Sequence, residues 1–222
     1  MRLEDLTWPD VAQGTVLAVP IGATEQHGPH LPLSTDTDIA VALVRGLAGA
    51  RPDVIAAPAL AYGSSGEHDG FAGTLSIGRE AVELVLVELV RSASATFERV
   101  LLVCVHGGNV APLRSAERRL RGEGRDVRAW LPRWSSDAHA GRLETSLMLA
   151  IASQRVHLED AVVGATAPLS ELMPRLVESG VRAVSPNGVL GDPAGASADE
   201  GRELLAVEVA RLADAVEHWG DT

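Results

Sequence analysis

A loop rich in metal-ligating residue types follows a short apolar run near the start of the chain. Between Gly22 and Asp36 it carries Glu25, His27 and His30, among Gly and Pro residues that favour turns. Carboxylate and imidazole groups together are typical ligands of zinc, manganese and iron. Taken by itself, the segment indicates either a metal site or a merely polar loop.

A second candidate ligand, His106, follows the apolar run 100–105 and precedes two glycines that would let the backbone approach a ligand closely. A histidine at a strand end is more often a satisfied structural residue. The glycine-rich turn could also cradle a phosphate, but no Walker or dinucleotide spacing surrounds it. If both apolar runs are parallel strands, His106 and the first loop lie at one sheet edge, and the two metal-ligand interpretations support each other.

Two further polar clusters could belong to the same site. Glu67 and His68 lie in a turn-forming segment that could also be a plain surface loop. His139 and Glu144 lie just before and at the start of a predicted helix. An acid at that position is also favoured by the helix dipole alone, so Glu144 has a purely structural alternative.

The elements that must position these residues alternate between strand and helix. Apolar runs predict strands over 15–20, 54–58, 100–105 and 127–131. Apolar spacing predicts helices over 38–49, 80–98, from after His106 to about Arg121, 145–152 and 197–219, the last with a capping-box start at Ser197. This alternation predicts a single α/β domain over 1–222, a three-layer α/β/α sandwich with a mostly parallel central sheet. Ligands bind beyond the carboxyl ends of the strands in such sheets.

Composition excludes several classes of protein. The net charge of −11 and the pI near 5.0 argue against a nucleic-acid binder, which would carry a basic stripe. The sequence contains no run of eighteen apolar residues, so it predicts no membrane-spanning helix. The acidic N-terminus does not resemble an export signal. The one cysteine, Cys104, excludes an intramolecular disulfide and suits a reducing cytoplasm. Its apolar surroundings indicate a buried core thiol rather than a nucleophile.

Five segments, in order along nearly the whole chain, resemble the creatininase family. They are TEQHGPHLPLSTD (24–36), SGEHDGFAGTLSIG (65–78), HGGN (106–109), DAHAGRLETSLML (137–149) and NGVLGDPAGASADEG (187–201). The resemblance implies a creatininase-like fold and amide hydrolysis by a metal-bridged hydroxide. It also implies two divalent metal ions per subunit.

The family's metal ligands can be carried over residue by residue. By resemblance the ions are held by Glu25, His27, Asp36 and His106, with Asp36 bridging. Creatininase itself has a further glutamate two residues after its equivalent of His106, where this chain has Gly108. Glu144 is the candidate replacement. Mixed nitrogen and oxygen ligation is compatible with zinc, iron or manganese.

The family's active-site histidine corresponds to His139. We expect His139 to act as general acid towards the leaving nitrogen, because imidazole titrates near neutral pH. Glu67 and His68 would hold the substrate or orient a metal ligand.

Segments 165–176 and 181–193 are most similar to a peptidase branch of the family. Members of that branch remove a C-terminal dipeptide from a modified precursor peptide during maturation of a redox cofactor. Two alternatives stay open: a small-molecule amidohydrolase of the creatinine or formamide type, and a metal-stabilised binding protein without turnover. The expected partner is thus a peptide or a small amide, and the family resemblance implies a homo-hexamer.

Overall fold

The computed structural model describes residues 1–11, 16–134 and 139–220. Within these ranges four parallel strands form one sheet in the order β2-β1-β3-β4. The strands are β1 (Val16–Ile21), β2 (Val54–Ala56), β3 (Arg99–Cys104) and β4 (Val127–Trp130). Nearly every strand residue of β1, β2 and β3 is buried, as expected for a parallel sheet covered on both faces.

Helices cover both faces of this sheet. The helices of the described chain are α1 (Thr35–Ala50), α2 (Arg79–Ala93), α3 (Val110–Gly122), α4 (Arg142–Ala152), α5 (Leu169–Val184) and α6 (Ala198–Glu217). Helix α5 packs against the turn Gly66–His68 instead of the sheet. One hydrophobic cluster joins α1, α4 and α6 to one face, and a second joins α2 and α3 to the other. The predicted α/β fold is confirmed. None of the helices in the described part of the chain is long and apolar enough to cross a membrane.

Several predicted helix ends were wrong, and some of the differences bear on the site. Helix α1 begins at Thr35 rather than at residue 38, which brings Asp36 into its first turn. Helix α4 begins at Arg142, so that Glu144 also lies in a first turn. Helix α2 ends at Ala93 rather than at residue 98, because a turn after it directs Phe97 into the core.

Helix α5 was not predicted, since Pro174 and Gly180 interrupt its sequence. Gly180 has a φ of 72°, and the segment is helical on either side of this break. The capping box predicted at Ser197 is half formed. The Ser197 hydroxyl accepts from the Glu200 amide, but the Glu200 carboxylate pairs with Arg142 and Ser146 instead of the Ser197 amide.

The central strands β1 and β3 create the opening for a site. The chain leaves β1 towards α1 on one face of the sheet and leaves β3 towards α3 on the opposite face. The connections therefore diverge beyond the carboxyl ends of these neighbouring strands. In open α/β sheets this divergence leaves the crevice in which ligands bind.

Candidate metal centre

Four segments bring the five predicted ligands together at this crevice. The loop after β1, the first turn of α1, the end of β3 and the first turn of α4 each contribute. The ligands form two neighbouring triads, each with its ligand atoms within 4.8 Å of one another: Glu25, Asp36 and His106, and His27, Asp36 and Glu144. Asp36 belongs to both. Its Oδ1 lies 3.3 Å from His27 Nε2 and its Oδ2 lies 3.2 Å from His106 Nδ1, so each carboxylate oxygen faces one of the two imidazoles.

Unsatisfied polar atoms mark the same place. Among the described residues, both carboxylate oxygens of Glu25, Nε2 of His27 and Oδ2 of Asp36 are buried without a hydrogen-bond partner. Buried polar atoms are nearly always hydrogen-bonded, so a group of orphans needs an explanation. All four are acceptor or ligand atoms that converge on one space. A pair of divalent cations would satisfy them together, so the residues fit a metal centre.

Main-chain carbonyls orient the two ligand imidazoles. His27 donates from Nδ1 to the carbonyl oxygen of Glu25 at 3.2 Å, and His106 donates from Nε2 to that of Ser64 at 2.9 Å. In the neutral form of each ring, the other nitrogen then carries the lone pair and faces the carboxylates. Histidines that bind metals are commonly fixed through the second ring nitrogen in this way.

The electrostatics of the centre favour positive charge. Burial by itself lowers the pKa of His27, but Asp36 and Glu144 beside it outweigh burial and raise that pKa to about 9. The pKa of His106 is likewise raised well above its ordinary value, because Glu25 and Asp36 outweigh the effect of burial. Conversely, burial would raise the pKa of Asp36, but the two imidazoles hold it well below its usual range.

Glu144 occupies a constrained position. Its Oε2 accepts a 2.6 Å hydrogen bond from the amide of Ala140, which has a φ of 53° and is the one non-glycine residue with positive φ in the described chain. Such a conformation costs free energy and is often found at functional sites. Burial raises the pKa of the Glu144 carboxyl to about 7, an effect that the nearby His27 partly opposes.

Gly108 leaves no room for a ligand side chain. A Cβ there would lie 2.1 Å from the Ser64 carbonyl oxygen and 2.4 Å from Glu67 Oε1. Glu67 itself lies 3.7 Å from His106 Nε2, in the short 3-10 turn Gly66–His68. Burial raises the pKa of the Glu67 carboxyl.

His68 and His139 lie beside the predicted ligands. Their ring centroids lie 4.5 Å apart, and that of His139 lies 4.2 Å from that of His27. His68 Nε2 lies 3.3 Å and His139 Nδ1 4.0 Å from Glu25 Oε1. Burial, with a smaller effect of His139, lowers the pKa of His68 to about 3. Burial and the neighbouring His27 lower the pKa of His139 well below its ordinary value.

All eight predicted site residues therefore lie in one cluster beyond the carboxyl ends of β1 and β3, which His30 does not join. His30 Nε2 contacts the hydroxyl of Thr145 at 2.9 Å. Asp137 of the fourth motif lies outside the described residues. The ligand and catalytic roles stay predictions, because proximity alone does not assign them.

Sequence reasoning missed two buried residues that hold the site together. Asn109 accepts from the Ser64 amide at 2.8 Å and donates to the Gly22 carbonyl at 2.9 Å, so it joins three loops. Gln26 contacts both His68 and His139. Both lie inside recognised motifs, but nothing in the sequence shows which distant groups they contact.

Comparison with known proteins identifies the family. A family model described as creatininase, creatinine amidohydrolase, matches residues 4–216. The mycofactocin precursor peptide peptidase of Mycolicibacterium smegmatis is 50% identical over 211 residues, which cover 92% of this chain and 85% of that protein. The creatinine amidohydrolase of Pseudomonas putida is 30% identical over 251 residues, which cover 96% of this chain and 94% of that protein.

Solved creatininase structures share the fold. A creatininase mutant of the "Zn-Zn type" superposes with a TM-score of 0.83 at 25% identity, covering 99% of this chain and 98% of that one. A structure named "Creatininase Mn" gives 0.81 at 26% identity with the same coverage. Together with the grouped carboxylates and imidazoles that could hold a metal ion, these matches show that the chain is a metal-dependent hydrolase and belongs to the creatininase family.

Proposed function

We propose that this protein is a peptidase that removes the C-terminal dipeptide from a modified mycofactocin precursor peptide at a dinuclear metal centre. The observation that carries the proposal is the 50% identity to a relative named for that substrate, against 30% to a creatinine amidohydrolase. Both alignments cover more than nine tenths of this chain. The difference in identity is therefore a property of the whole sequence and not of one motif.

Two divalent ions would occupy the two triads. Glu25 and His106 would hold one ion, His27 and Glu144 the other, and Asp36 would bridge them. When bound, such ions polarise a carbonyl and lower the pKa of a bound water from about 15.7 towards neutrality. Zinc, manganese and iron all suit these nitrogen and oxygen ligands.

The side chains around the ions would handle the protons. His139 is neutral at pH 7 by its lowered pKa and has Nδ1 4.0 Å from a Glu25 oxygen. It can take up a proton released during attack on the amide and return it to the leaving nitrogen. Glu67 and His68 lie beside His106 and Glu25, respectively, and would position the substrate.

Mass spectrometry of peptide cleavage tests the proposal. Purified protein reconstituted with zinc, manganese or ferrous iron is incubated with a decarboxylated precursor peptide and, in parallel, with creatinine. We expect loss of a C-terminal dipeptide that a chelator abolishes and that His106→Ala lacks. Substitution of the exposed His157 by alanine serves as the matched control and should leave cleavage unchanged.

Other outcomes would reassign the function. Creatinine turnover with an intact peptide would make the protein a small-molecule amidohydrolase. Metal binding at stoichiometric amounts without turnover of either compound, or of a formamide, would favour a metal-stabilised binding protein.

We also propose that residues 1–222 act as a single cytoplasmic domain that assembles into a homo-hexamer. Exposed apolar side chains on α2 and α5, among them Leu84, Leu89, Met173 and Val177, support an assembled state. Native mass spectrometry would measure the subunit number. A monomer at micromolar concentration would contradict this part of the proposal.

A further inference from the structure

Gln26 lies between two proposed ligands and is buried, with 5% of its surface exposed. Two main-chain groups fix its side-chain amide. Oε1 accepts from the Gly28 amide at 2.9 Å, and Nε2 donates to the Gly188 carbonyl oxygen at 3.0 Å. A reversed amide would place donor against donor and acceptor against acceptor, so only one orientation is compatible with both neighbours.

Gly188 leaves room for the Gln26 amide because it has no side chain. Gly188 has a φ of 82°, and a Cβ there would lie 1.9 Å from Gln26 Oε1. The amide is therefore clamped between the segment after β1 and a segment more than 160 residues further along the chain.

The fixed amide determines the proton position on His68. Gln26 Nε2 lies 2.8 Å from His68 Nδ1. An amide NH2 group only donates, so His68 Nδ1 must accept with its lone pair. The proton of the neutral ring is then on Nε2, which faces Glu25 Oε1 at 3.3 Å.

The main chain of the same residue determines the proton position on His139. His139 Nε2 lies 2.8 Å from the carbonyl oxygen of Gln26, which only accepts. The Gln26 side-chain nitrogen is also near, at 3.1 Å, but its two hydrogens are directed to Gly188 and His68. His139 Nε2 therefore carries the proton, and Nδ1 carries the lone pair.

We propose that Gln26 is a positioning residue that selects the Nε2–H tautomer of both histidines, His68 through its side chain and His139 through its main-chain carbonyl. Resting on the proposed function, this refines the order of proton transfer. His139 begins as an acceptor: a water O–H bond breaks as the Nδ1–H bond forms, and the water oxygen bonds to the amide carbon. The same proton then passes from Nδ1 to the leaving nitrogen as the C–N bond breaks, so His139 acts as a base before it acts as an acid.

Nitrogen NMR of the zinc-reconstituted protein measures these tautomers directly. Long-range proton–nitrogen correlations of 15N-histidine-labelled protein distinguish Nε2–H from Nδ1–H rings, with His68→Asn and His139→Asn used for assignment. We expect Nε2–H at both residues in the wild type. In Gln26→Met, which lacks the side-chain donor, we expect His68 to lose its single tautomer, whereas His139 keeps Nε2–H.

The kinetic effect distinguishes positioning from folding. For Gln26→Met and Gln26→Glu we expect kcat to fall about 10- to 100-fold, with KM and zinc content close to wild type. An Nδ1–H ring at either histidine of the wild type would overturn the proposal, as would an unchanged His68 tautomer in Gln26→Met. An inactive wild type with both expected tautomers would refute the proposed substrate but not the role of Gln26.

Discussion

Two pairs of buried histidines in one cluster have pKa values shifted in opposite directions. His27 and His106 have raised pKa values, whereas those of His68 and His139 are lowered. All four rings are at most 7% exposed, so burial does not distinguish the pairs. Each ring of the first pair has two carboxylates beside it, Asp36 and Glu144 at His27 and Glu25 and Asp36 at His106, whereas Glu25 is the carboxylate that faces His68 and His139. In the metal-free protein the first pair therefore favours the protonated form and the second pair the neutral form.

The largest effect is expected at the first pair. His106→Ala removes one nitrogen ligand and leaves Glu25 and Asp36 oxygens without it. We expect loss of metal together with a fall in kcat/KM of about 1000-fold or more, which corresponds to about 4 kcal/mol of transition-state stabilisation. Metal content by elemental analysis and peptide cleavage rates check this. If His106→Ala stayed active and kept its full metal content, His106 would not be a metal ligand.

The second pair should separate metal binding from turnover. His139→Ala is expected to keep its metal and to lose about 100- to 10,000-fold in kcat, the range typical of a general acid or base. His139 does have its Nδ1 near Glu25 and His27, in a group that could itself hold an ion. If His139→Ala lost metal as His106→Ala does, His139 would be a ligand and the two pairs would not differ in role.

Glu144 tests whether the second triad holds its own ion. Glu144→Gln keeps the size of the side chain and an acceptor for the Ala140 amide, but removes the negative charge beside His27. We expect metal content to fall from two ions towards one per subunit and kcat to fall about 100-fold. Glu67→Gln is the matched control, expected to retain both ions. If Glu144→Gln still bound two ions per subunit, Glu144 would not be the fifth ligand.

The raised pKa values predict proton release when metal binds. At pH 7 the metal-free protein carries protonated His27, whose pKa is about 9, and protonated His106. Zinc requires neutral imidazole, so binding should displace about one proton from each. Calorimetry in buffers of different ionisation enthalpy measures this number. Affinity should fall as pH decreases from about 9, and binding without proton release would contradict the assigned charges.

The raised pKa of His27 also predicts how the unfolding free energy of the metal-free protein depends on pH. The pKa of His27 is raised from 6.5 to about 9 in the folded state. Its stabilising contribution is therefore fully present below about pH 6.5 and is lost as pH rises through 9. His27→Gln should flatten this part of the stability curve in urea unfolding, and an unchanged curve would contradict the shift.

Cys104 gives the smallest expected effect and a contrast to both pairs. It is fully buried, donates weakly to the His106 carbonyl, and burial raises the pKa of its thiol to about 11. Cys104→Ala should cost about 1 kcal/mol in unfolding free energy, because it removes one buried sulfur, and leave kcat unchanged. Inactivation of the folded wild type by a thiol reagent would contradict this.

Much of the fold could be predicted because its signals are local. The buried runs that form β1 and β3 are contiguous, and the apolar spacing of α1 to α4 repeats within each helix. The helix ends at Ala93 and Thr35 were missed because hydrogen-bonded turns adjoin both ends, and apolar spacing does not distinguish a turn from a helix end. Helix α5 was missed because Pro174 and Gly180, which disfavour a continuous helix, stand inside its sequence.

The sequence alone determined the residue types of the site, since Glu25, His27, Asp36 and His106 stand in motifs whose spacing can be read directly. Only the tertiary structure decided how these side chains face one another. Asp36 acquires its shared position because α1 begins beside the end of β3. Gln26 becomes a hydrogen-bond donor to His68 because Gly188, distant in sequence, fixes its amide. Such contacts depend on packing between segments far apart in the chain, and no local pattern of residues records them.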